Sequence, residues 1–493
     1  MTLQRAAIAL LTAMAIGAAA RAPAAPSLGL HLAPCTVGKA KVPARCGTFG
    51  VYENRSASAG RTIALRVVVL PATHPNGRAI FWNPGGPGAS AVDFAGIIAR
   101  GAIAKDLSTL RNGYDVVLLD NRGIGGTHAQ QCDLAPAAHP EKYFLQVWPD
   151  DLLAACRAHL AHDADLSFYN SSLAADDLDD LRAALGYRTI VLSGASYGTY
   201  FDLVYLRQHP DRVESAVLDG VAPPHLLIIP LEDAAGAQLA MDGVIADCTA
   251  DRHCNNAFPQ LAQHFASLTQ RFDRGPIPTR IRNISTKQLQ SVKLSKEVFV
   301  ERLRQMLYDP FSAAYVPFII ERAYRQDYGP LGTMVQRVAI GLGSVVDLGA
   351  NLSVTCAEDI SFITEDAVKR TSAHSFEGDA RVRAQQRACR IWNVAPVPAS
   401  FNQTVRSTAP VLMISGSEDP TTPALFSAQQ LAYLPNGSRV LVKGAGHVTE
   451  LPCTDRLKAA FVSAHSARGL NLASCTTAFR RPPFKMSLAG FAD

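Results

Sequence analysis

The segment VLSGASYGTYFDLV, residues 191–204, places two glycines around a serine where an apolar run gives way to a helical pattern. Ile190–Leu192 is apolar enough for a short buried strand, and Tyr197–Arg207 has apolar residues at helical spacing. A strand that turns into a helix within so few residues forces its central residue into a sparsely populated backbone conformation, which flanking glycines make sterically possible. The G-x-S-x-G pattern in this setting predicts a nucleophile elbow that holds Ser196 at the end of a sheet. The same letters alone also suit an ordinary turn with Ser196 as a helix N-cap.

The overall composition indicates a globular chain that is large for one domain. Its 493 residues are 48% hydrophobic and 18% charged, which predicts an ample core and two structural units. Arg5, the alanine-rich run 6–20 and the small-x-small site Ala20-Arg21-Ala22 predict a secretory signal peptide over residues 1–22. The run is too short for a membrane anchor. The mature protein is therefore expected to be secreted or periplasmic, without stable membrane insertion.

The charge balance argues against a nucleic-acid partner. Loss of Arg5 and Arg21 with the leader lowers the formal net charge from +5 to +3, and no basic run with interleaved aromatic residues follows. The ten cysteines show no C-x-x-C or paired Cys/His spacing, so neither a metal site nor a cofactor is predicted. An even number of cysteines in an exported chain predicts disulfides. The simplest of the possible arrangements pairs sequence neighbours: Cys35 with Cys46, Cys132 with Cys156, Cys248 with Cys254, Cys356 with Cys389, and Cys453 with Cys475.

Short apolar segments alternate with helical patterns in the first half of the chain, after a start that is expected to be rich in loops. Residues 171–186 combine acidic residues in the first turns with leucines on one face, which predicts a helix. Strands that alternate with helices predict an α/β fold, with a mostly parallel central sheet covered by helices on both faces. The predicted strands are Ile63–Leu70, Ala79–Trp82, Tyr114–Leu119, Ile190–Leu192, Glu214–Leu218, Val411–Ile414 and Arg439–Val442.

The alternation disappears in the middle of the chain. Helical periodicity occurs there in pieces such as Lys296–Leu307 and Phe318–Arg325, while convincing strands are few. We therefore expect a large, mainly helical lid domain inserted into the sheet domain. The predicted organisation is a signal peptide (1–22), the first part of the core (23–224), the lid (225–397) and the second part of the core (398–493).

Several unusual loops follow predicted strands, at the sheet edge where α/β proteins collect catalytic groups. Ser196, Asp419 and His447 follow one another in the Ser–Asp–His order of α/β-hydrolases. Because a serine hydroxyl is a weak nucleophile near neutral pH, His447 is expected to take its proton, and Asp419 is expected to orient and stabilise the imidazole. Asp219, at the end of a predicted strand, and Glu418 are the alternatives for the acid.

Attack on a carbonyl group creates an oxyanion, which needs N–H donors that are already in place. The elbow makes the backbone N–H of Tyr197 one donor. The loop NPGGPGAS, residues 83–90, is expected to supply the other, with Gly86 as the first choice and Gly85 or Gly88 as alternates. Neither G-K-[ST] nor G-x-G-x-x-G opens a helix here, which argues against a phosphate site.

The stretches NPGGPGAS, LDNRGIGGT, GASYGT, GSEDPTTP and GAGH lie in both halves of the predicted core. Together they resemble the tripeptidyl aminopeptidase-like branch of the proline iminopeptidase family of α/β-hydrolases, while the predicted lid is less similar. Proline iminopeptidases proper usually carry H-G-G-P-G in the first stretch, so Asn83-Pro84 points to the tripeptidyl branch. By the same resemblance, Asp120 and Arg122 are architectural residues.

The resemblance implies an exported serine exopeptidase that acts through an acyl-enzyme and releases short peptides from free N-termini. Such an enzyme needs an anion for the substrate ammonium group, within a lid that limits how much chain is admitted. Glu358 and Asp359 are the candidates for this anion, because a disulfide at Cys356 would hold them rigid. The alternative for both is a solvated acidic pair.

Two other functions use the same sequence features. A secreted carboxylesterase or lipase would use the same triad, with a lid that admits an acyl chain. A non-catalytic binding protein on a hydrolase scaffold is disfavoured, because every catalytic part is present. A peptide substrate is the expected partner, and the length of the released peptide and the oligomeric state are left open.

Overall fold

Apolar runs that end at glycine or at a polar residue form the strands of one large sheet. The computed structural model describes residues 28–226, 231 and 233–491, and the predicted signal peptide lies outside these residues. Within them, nine strands form a sheet in the order β1-β2-β3-β5-β4-β6-β7-β10-β11, and two more form a separate hairpin, β8-β9. The strands are β1 (Gly29–Val37), β2 (Val42–Tyr52), β3 (Thr62–Leu70), β4 (Arg78–Asn83), β5 (Tyr114–Leu119), β6 (Ile190–Ala195), β7 (Val213–Asp219), β8 (Ile277–Arg282), β9 (Leu289–Leu294), β10 (Val411–Gly416) and β11 (Gly437–Val442).

Helices follow the central strands and fill the interval between β7 and β10. Their bounds are α1 (Ala95–Ile98), α2 (Lys105–Leu110), α3 (Pro140–Tyr143), α4 (Asp150–Asp163), α5 (Ser171–Ala184), α6 (Tyr197–Gln208), α7 (Asp233–Ala250), α8 (Arg252–Ala257), α9 (Leu261–Asp273), α10 (Lys296–Met306), α11 (Pro310–Ala313), α12 (Val316–Tyr324), α13 (Gly329–Val345), α14 (Leu348–Glu358), α15 (Glu365–Ser372), α16 (Ala380–Trp392), α17 (Ala424–Leu431) and α18 (Pro452–Ala464). The strands β5-β4-β6-β7-β10-β11 are parallel to one another. At one edge of the sheet, β1 pairs with β2, β2 with β3, and β3 with β5, each pair antiparallel. The predicted fold class, a mostly parallel sheet with many helices, is confirmed.

Different helices cover the two faces of the sheet. Along β4, Ala79 and Phe81 join a core with residues of α5 and α6, while Ile80 and Trp82 join a core with residues of α2 and α18. A parallel strand that is buried on both faces needs apolar residues at successive positions. The central strands are therefore continuous apolar runs, which is why they are recognisable in the sequence.

The structure contains two pairs of strands that the sequence does not predict. β1 and β2 pair at the edge of the sheet, in the region that was expected to be rich in loops. β1 contains Pro34 and no fully buried residue, so it lacks an apolar face and suits only an edge position. β8 and β9 form a hairpin within the mainly helical insertion, and Ile281 is the fully buried residue of β8. Strands with so little burial leave almost no hydrophobic periodicity.

We define the inserted segment as residues 220–410, between β7 and β10. Its helices share a hydrophobic core in which the rings of Phe272 and Phe299 stack with centroids 4.4 Å apart. The C-terminal residues return to this segment, where the backbone N–H of Lys485 donates to the carbonyl of Ala314 over 2.9 Å. Among the helices described, none is long and apolar enough to cross a membrane. The domain boundaries at residues 225 and 397 stay predictions.

Four of the five predicted disulfides are present. They join Cys35 to Cys46, Cys132 to Cys156, Cys248 to Cys254, and Cys356 to Cys389. The fifth predicted pair is wrong in this structure, because Cys453 and Cys475 are free thiols that contact each other without a bond. Burial, together with the neighbouring Cys453, raises the pKa of the Cys475 thiol to about 12.

A buried ion pair fixes the loop after β5 to helix α5. Nε of Arg122 donates to Asp177 over 2.7 Å, and its Nη1 donates to the carbonyls of Glu53 and Phe168 over 2.9 and 2.7 Å. The side chains of Arg122 and Asp177 are both only 1% exposed. Removing one partner of such a pair leaves an uncompensated charge in the interior.

We expect Arg122→Met to lower the free energy of unfolding by about 3–5 kcal/mol, because Asp177 loses its main buried partner. The matched control is Arg322→Met, since Arg322 pairs with Asp327 at the surface, where their side chains are 49% and 40% exposed. That change should cost less than about 1 kcal/mol. Denaturant unfolding followed by circular dichroism measures both, and losses of equal size would contradict an architectural role for Arg122.

Candidate active site

Ser196 connects β6 to α6, at a point where the backbone reverses direction. Its φ of 56° and ψ of −124° lie in a sparsely populated region that costs of order 1–3 kcal/mol for a residue with a side chain. The N–H of Ser196 donates to the carbonyl of Asp219 over 2.9 Å, and its own carbonyl accepts from the N–H of Thr199 over 2.8 Å. These bonds to β7 and to the first turn of α6 hold the strained turn in place.

Gly194 and Gly198 flank this turn because neither position has room for a side chain. A Cβ on Gly198 would lie 2.0 Å from the carbonyl oxygen of Asn83, and a Cβ on Gly194 would lie 2.5 Å from the carboxyl group of Asp202. The side-chain amide of Asn83 donates to Asp202 over 2.6 Å, and burial raises the pKa of Asp202 well above its usual range. A buried hydrogen bond therefore joins the end of β4 to helix α6 directly beneath the elbow.

A cavity of about 640 Å³ lies between the carboxyl edge of the sheet and the inserted segment. This volume falls in the range of roughly 300–1,000 Å³ that is typical of small-ligand sites. Ser196, Tyr197 and His447 line the cavity from the sheet side, and residues of α10, α13 and α14 line it from the inserted segment. The structure therefore brings two of the three predicted triad residues to one cavity.

Asp419 lies directly behind His447. Oδ2 of Asp419 is 2.8 Å from Nδ1 of His447, which leaves Nε2 as the ring nitrogen available to the cavity. Oδ1 of Asp419 accepts backbone N–H bonds from Thr421 and Thr422 over 2.9 and 2.7 Å. Burial alone raises the pKa of Asp419, but the charge of the His447 imidazolium and the bonds from His447 and Thr422 outweigh it, so the pKa is lowered. The carboxylate is thus held ionised against the imidazole.

The two alternative acids are engaged elsewhere. Asp219 forms a buried ion pair with Nζ of Lys458 over 2.7 Å and accepts from the N–H of Thr449 over 3.0 Å. Glu418 pairs with Arg481. Neither carboxylate contacts the imidazole, so Asp419 is the acid that the structure brings to His447.

The inserted segment supports the histidine loop through the residues that follow α10. The backbone N–H of His447 donates to the carbonyl of Tyr308 over 3.0 Å, and the two rings lie with centroids 5.1 Å apart. Nη1 of Arg304 donates to the hydroxyl of Tyr308 over 2.6 Å. The position of the imidazole therefore depends on the inserted segment as well as on β11.

Two backbone positions that are predicted to supply N–H donors line the cavity beside Ser196. Tyr197 begins α6, whose N-terminal N–H groups have no partner within the helix, and Gly86 has a φ of 125° that favours glycine. Gly85 and Gly86 both line the cavity. Gly88 instead contacts Asp347, which donates its N–H to the Gly88 carbonyl over 2.9 Å. Of the predicted donors, the structure brings Tyr197, Gly86 and Gly85 to the cavity.

Comparison with protein families agrees with this arrangement of sheet, elbow and cavity. A family model described as the alpha/beta hydrolase fold matches residues 78–449 of the chain. The chain belongs to the α/β-hydrolase family. The match begins at β4 and ends in the loop that carries His447, so it includes Ser196, Asp419 and the inserted segment.

Three relatives of this α/β-hydrolase carry names of different activities. Over 472 residues the chain is 26% identical to the serine protease Hip1 of Mycobacterium tuberculosis, with 86% of each protein covered. Over 233 residues it is 34% identical to carboxylesterase B of the same organism, with 43% of each covered. Over 198 residues it is 29% identical to the tripeptidyl aminopeptidase of Streptomyces coelicolor, with 37% of this chain and 36% of that protein covered. The predicted family resemblance is confirmed.

Glu358 and Asp359, predicted to bind the substrate amine, do not line the cavity of this hydrolase. Glu358 is buried at the end of α14, where it accepts from the hydroxyl of Ser171 over 2.8 Å. That hydroxyl also lies 2.7 Å from the hydroxyl of Tyr197. Asp359 is buried as well, and burial raises its pKa well above the usual range. The disulfide expected at Cys356 is present, but both carboxyl groups are buried outside the cavity.

The carboxylates that line the cavity are Asp233 and Glu301, at the start of α7 and within α10. Neither residue is predicted from the sequence. Oδ1 of Asp233 accepts from the hydroxyl of Thr421 over 2.7 Å, which links α7 to the loop that holds Asp419. Acidic residues inside helical patterns usually mark a solvated face, so the sequence carries no signal that separates these two from the others. Among the described residues, no group of three or more His, Cys, Asp or Glu side chains is placed to hold a metal ion.

We expect Glu358→Gln to gain stability relative to the unmodified protein as pH rises. Burial raises the pKa of Glu358 from 4.5 to about 7, so its contribution to stability is complete below pH 4.5 and is lost as pH rises through 7. Glutamine keeps the shape of the neutral carboxyl group and does not titrate. Between pH 5 and pH 8 the variant should gain about 2–3 kcal/mol in the free energy of unfolding.

Denaturant titrations at several pH values measure this gain. Glu365→Gln is the control, because Glu365 is an exposed carboxylate that pairs with Arg383 at the surface, and it should show no such gain. A constant difference between Glu358→Gln and the unmodified protein from pH 5 to pH 8 would contradict the assignment.

Proposed function

We propose that this hydrolase is an exported serine peptidase that releases short peptides from free N-termini. Ser196 is the nucleophile, His447 the general base and acid, and Asp419 the residue that orients and stabilises the imidazole. The observation that supports this proposal most is the 2.8 Å contact between Asp419 and His447, beside the cavity that Ser196 lines from its strained turn. The peptidase class is supported by the likeness to the serine protease Hip1 over 86% of the chain.

Catalysis begins with attack of the Ser196 hydroxyl on the substrate carbonyl carbon. Nε2 of His447 takes the hydroxyl proton and returns it to the leaving amine, and water then releases the acyl group by the same route. Among the described residues, no hydrogen bond joins the Ser196 hydroxyl to the imidazole, so the relay requires that substrate binding bring the two groups together. Asp419, ionised and bonded to Nδ1, holds the tautomer that keeps Nε2 free to accept.

The oxyanion that forms during attack is stabilised by the N–H groups of Tyr197 and Gly86. Both residues line the cavity beside Ser196, and Gly85 is the alternate to Gly86. Each such donor contributes roughly 3 kcal/mol to the stability of the transition state. Because the elbow and the loop after β4 are locked together through Asn83 and Asp202, these donors need no reorganisation when charge develops.

Asp233 and Glu301 replace Glu358 and Asp359 as the proposed site for the substrate ammonium group. They are the carboxylates among the described residues that line the cavity. Both also pair with Arg304 and Arg381, so a bound ammonium group would share them with these two arginines. Both come from the inserted segment, so the distance between an amine bound there and Ser196 would set how many residues fit before the scissile bond. The inserted segment would thus act as the lid that limits peptide length.

Export to an oxidising compartment is part of the proposal. The four disulfides of the described residues suit the periplasm or the extracellular space, as does the predicted signal peptide. The length of the released peptide and the oligomeric state are not part of it.

A carboxylesterase is the second candidate function. It is favoured by the 34% identity to carboxylesterase B over 43% of the chain, and it would use the same three residues. The two candidates differ in whether the cavity recognises a substrate amine.

We expect peptide anilides of the Ala-Ala-Pro type to be hydrolysed when their amine is free and not when it is acetylated, because acetylation removes the positive charge that Asp233 and Glu301 bind. Ser196→Ala should abolish both hydrolysis and labelling by a fluorophosphonate. Chromogenic assays of the two peptides and of short esters measure this. Equal rates for free and acetylated peptides would exclude the aminopeptidase, and turnover of short esters alone would favour the carboxylesterase.

Asp233→Asn should reduce kcat/KM for the free-amine peptide by about tenfold or more, because a charge-assisted hydrogen bond to the substrate is lost. Glu358→Gln should affect this peptide less, because Glu358 lies outside the cavity. Steady-state kinetics of both variants measure the difference. A larger loss in Glu358→Gln than in Asp233→Asn would restore the amine site that the sequence predicts.

A further inference from the structure

Charged side chains line the cavity beyond the proposed catalytic residues, and cations outnumber carboxylates among them. Arg302, Arg304 and Arg381 line it together with Asp233 and Glu301, and the less buried Arg337 lines it as well. The side chains of the first five are nine-tenths buried or more. A buried charge is tolerated only when it is paired or hydrogen-bonded, so each of these arginines should have a carboxylate partner.

Two of the three most buried arginines have such partners. Arg304 forms a two-pronged contact with Glu301, through Nη2 over 2.8 Å and Nε over 3.2 Å, and its Nη1 lies 3.4 Å from Asp233. Arg381 lies 3.3 Å from Glu301 and 3.8 Å from Asp233, and its guanidinium sits 4.7 Å above the ring of Trp148. Arg304 and Arg381 thus share the two carboxylates of the cavity wall.

Arg302 is the exception. Its Nη1 donates to the side chain of Gln305 over 2.9 Å, and its Nε has no hydrogen-bond partner although it is buried. Among the described residues, no carboxylate lies within 4.0 Å of this guanidinium. The nearby Glu297 is bound to Arg387 over 2.8 Å. Arg302 is therefore a buried cation at the cavity wall whose main partner is a neutral amide.

Burial lowers the pKa of Arg302 to about 10, and the charges of Arg381 and Arg304 act in the same direction while Glu301 opposes them. The side chain stays cationic at neutral pH, but the charges of Glu301 and Glu297 offset only part of its desolvation cost. An anion in the cavity would offset it. A carboxylate suits this position because its two oxygens can accept from the guanidinium fork in parallel.

We propose that Arg302 binds a carboxylate of the substrate, so that this hydrolase prefers acidic peptides to their uncharged amide counterparts. The inference rests on the proposed peptidase function. The carboxylate belongs either to a side chain of the peptide or to its C-terminus, and both sources present the same chemistry to the guanidinium.

The first experiment compares substrates that differ only in charge. One set is Ala-Ala-Pro-type anilides with Glu or Gln at each of the three positions, and the other is the peptide Ala-Ala-Pro-Ala with a free or an amidated C-terminus. The unmodified protein should show kcat/KM values about ten- to hundredfold higher for the acidic member of one pair. The pair that shows the preference identifies the source of the carboxylate.

Variants of Arg302 test whether this residue causes the preference. Arg302→Gln should bring the acid-to-amide ratio close to one, and Arg302→Lys should keep part of it, because lysine retains the charge without the planar fork. A ratio within one protein does not depend on the fraction that is correctly folded. Arg383→Gln is the matched control, because Arg383 pairs with Glu365 and Asp379 at the surface, and it should keep the full ratio.

A binding measurement separates this inference from the proposed function. Calorimetry with the Ser196→Ala protein compares the affinities of the same acid and amide peptides without turnover. Tighter binding of the acid, lost in Ser196→Ala combined with Arg302→Gln, supports the carboxylate site even if no peptide is hydrolysed. Equal affinities for every pair, or a preference that survives in the Arg302→Gln protein, would overturn it.

Discussion

The close approach of β4 and α6 beneath Ser196 is the constraint on which the rest of the site depends. The backbone of Gly198 passes so near the carbonyl of Asn83 that a Cβ on Gly198 would lie 2.0 Å from the carbonyl oxygen. The side chain of Asn83 also donates to Asp202 of α6, so backbone and side chain both join β4 to α6. Interiors this dense transmit strain and do not absorb it. The unfavourable backbone of Ser196 is therefore stabilised by contacts that also position the glycine loop after β4.

The histidine depends on a second set of contacts, which come from three separate parts of the chain. Asp419 follows β10, the imidazole follows β11, and Tyr308 belongs to the inserted segment. Backbone N–H groups of Thr421 and Thr422 fix the Asp419 carboxylate, while the carbonyl of Tyr308 fixes the backbone of His447. Asp233 links the Asp419 loop to the inserted segment within this set, because it accepts from Thr421 and pairs with Arg304.

Much of the sheet and the proposed catalytic residues could be predicted from the sequence, because their signals are local. Buried parallel strands are continuous apolar runs, and the glycines around Ser196 and before His447 mark turns that other residues cannot form. The edge strand β1 could not be predicted, because it buries no apolar face. The disposition of Glu358 could not be predicted either, because a carboxyl group at a helix end has the same sequence pattern whether it faces a cavity or a buried serine. Contacts between residues as distant in sequence as Glu301 and Arg381 leave no local pattern at all.

The contact between Tyr308 and His447 has a consequence for how members of this architecture diversify. An inserted segment that packs on a catalytic site without bonding to its residues can be replaced by another during evolution. The substrate selectivity then changes while the catalytic residues keep their positions. Here the carbonyl of Tyr308 accepts from the backbone N–H of His447, so a transplanted insertion would have to provide an acceptor at the same position. A change of the inserted segment therefore affects both substrate selectivity and the position of His447. We expect new substrate selectivity to evolve through substitutions in the cavity wall more readily than through replacement of the whole inserted segment.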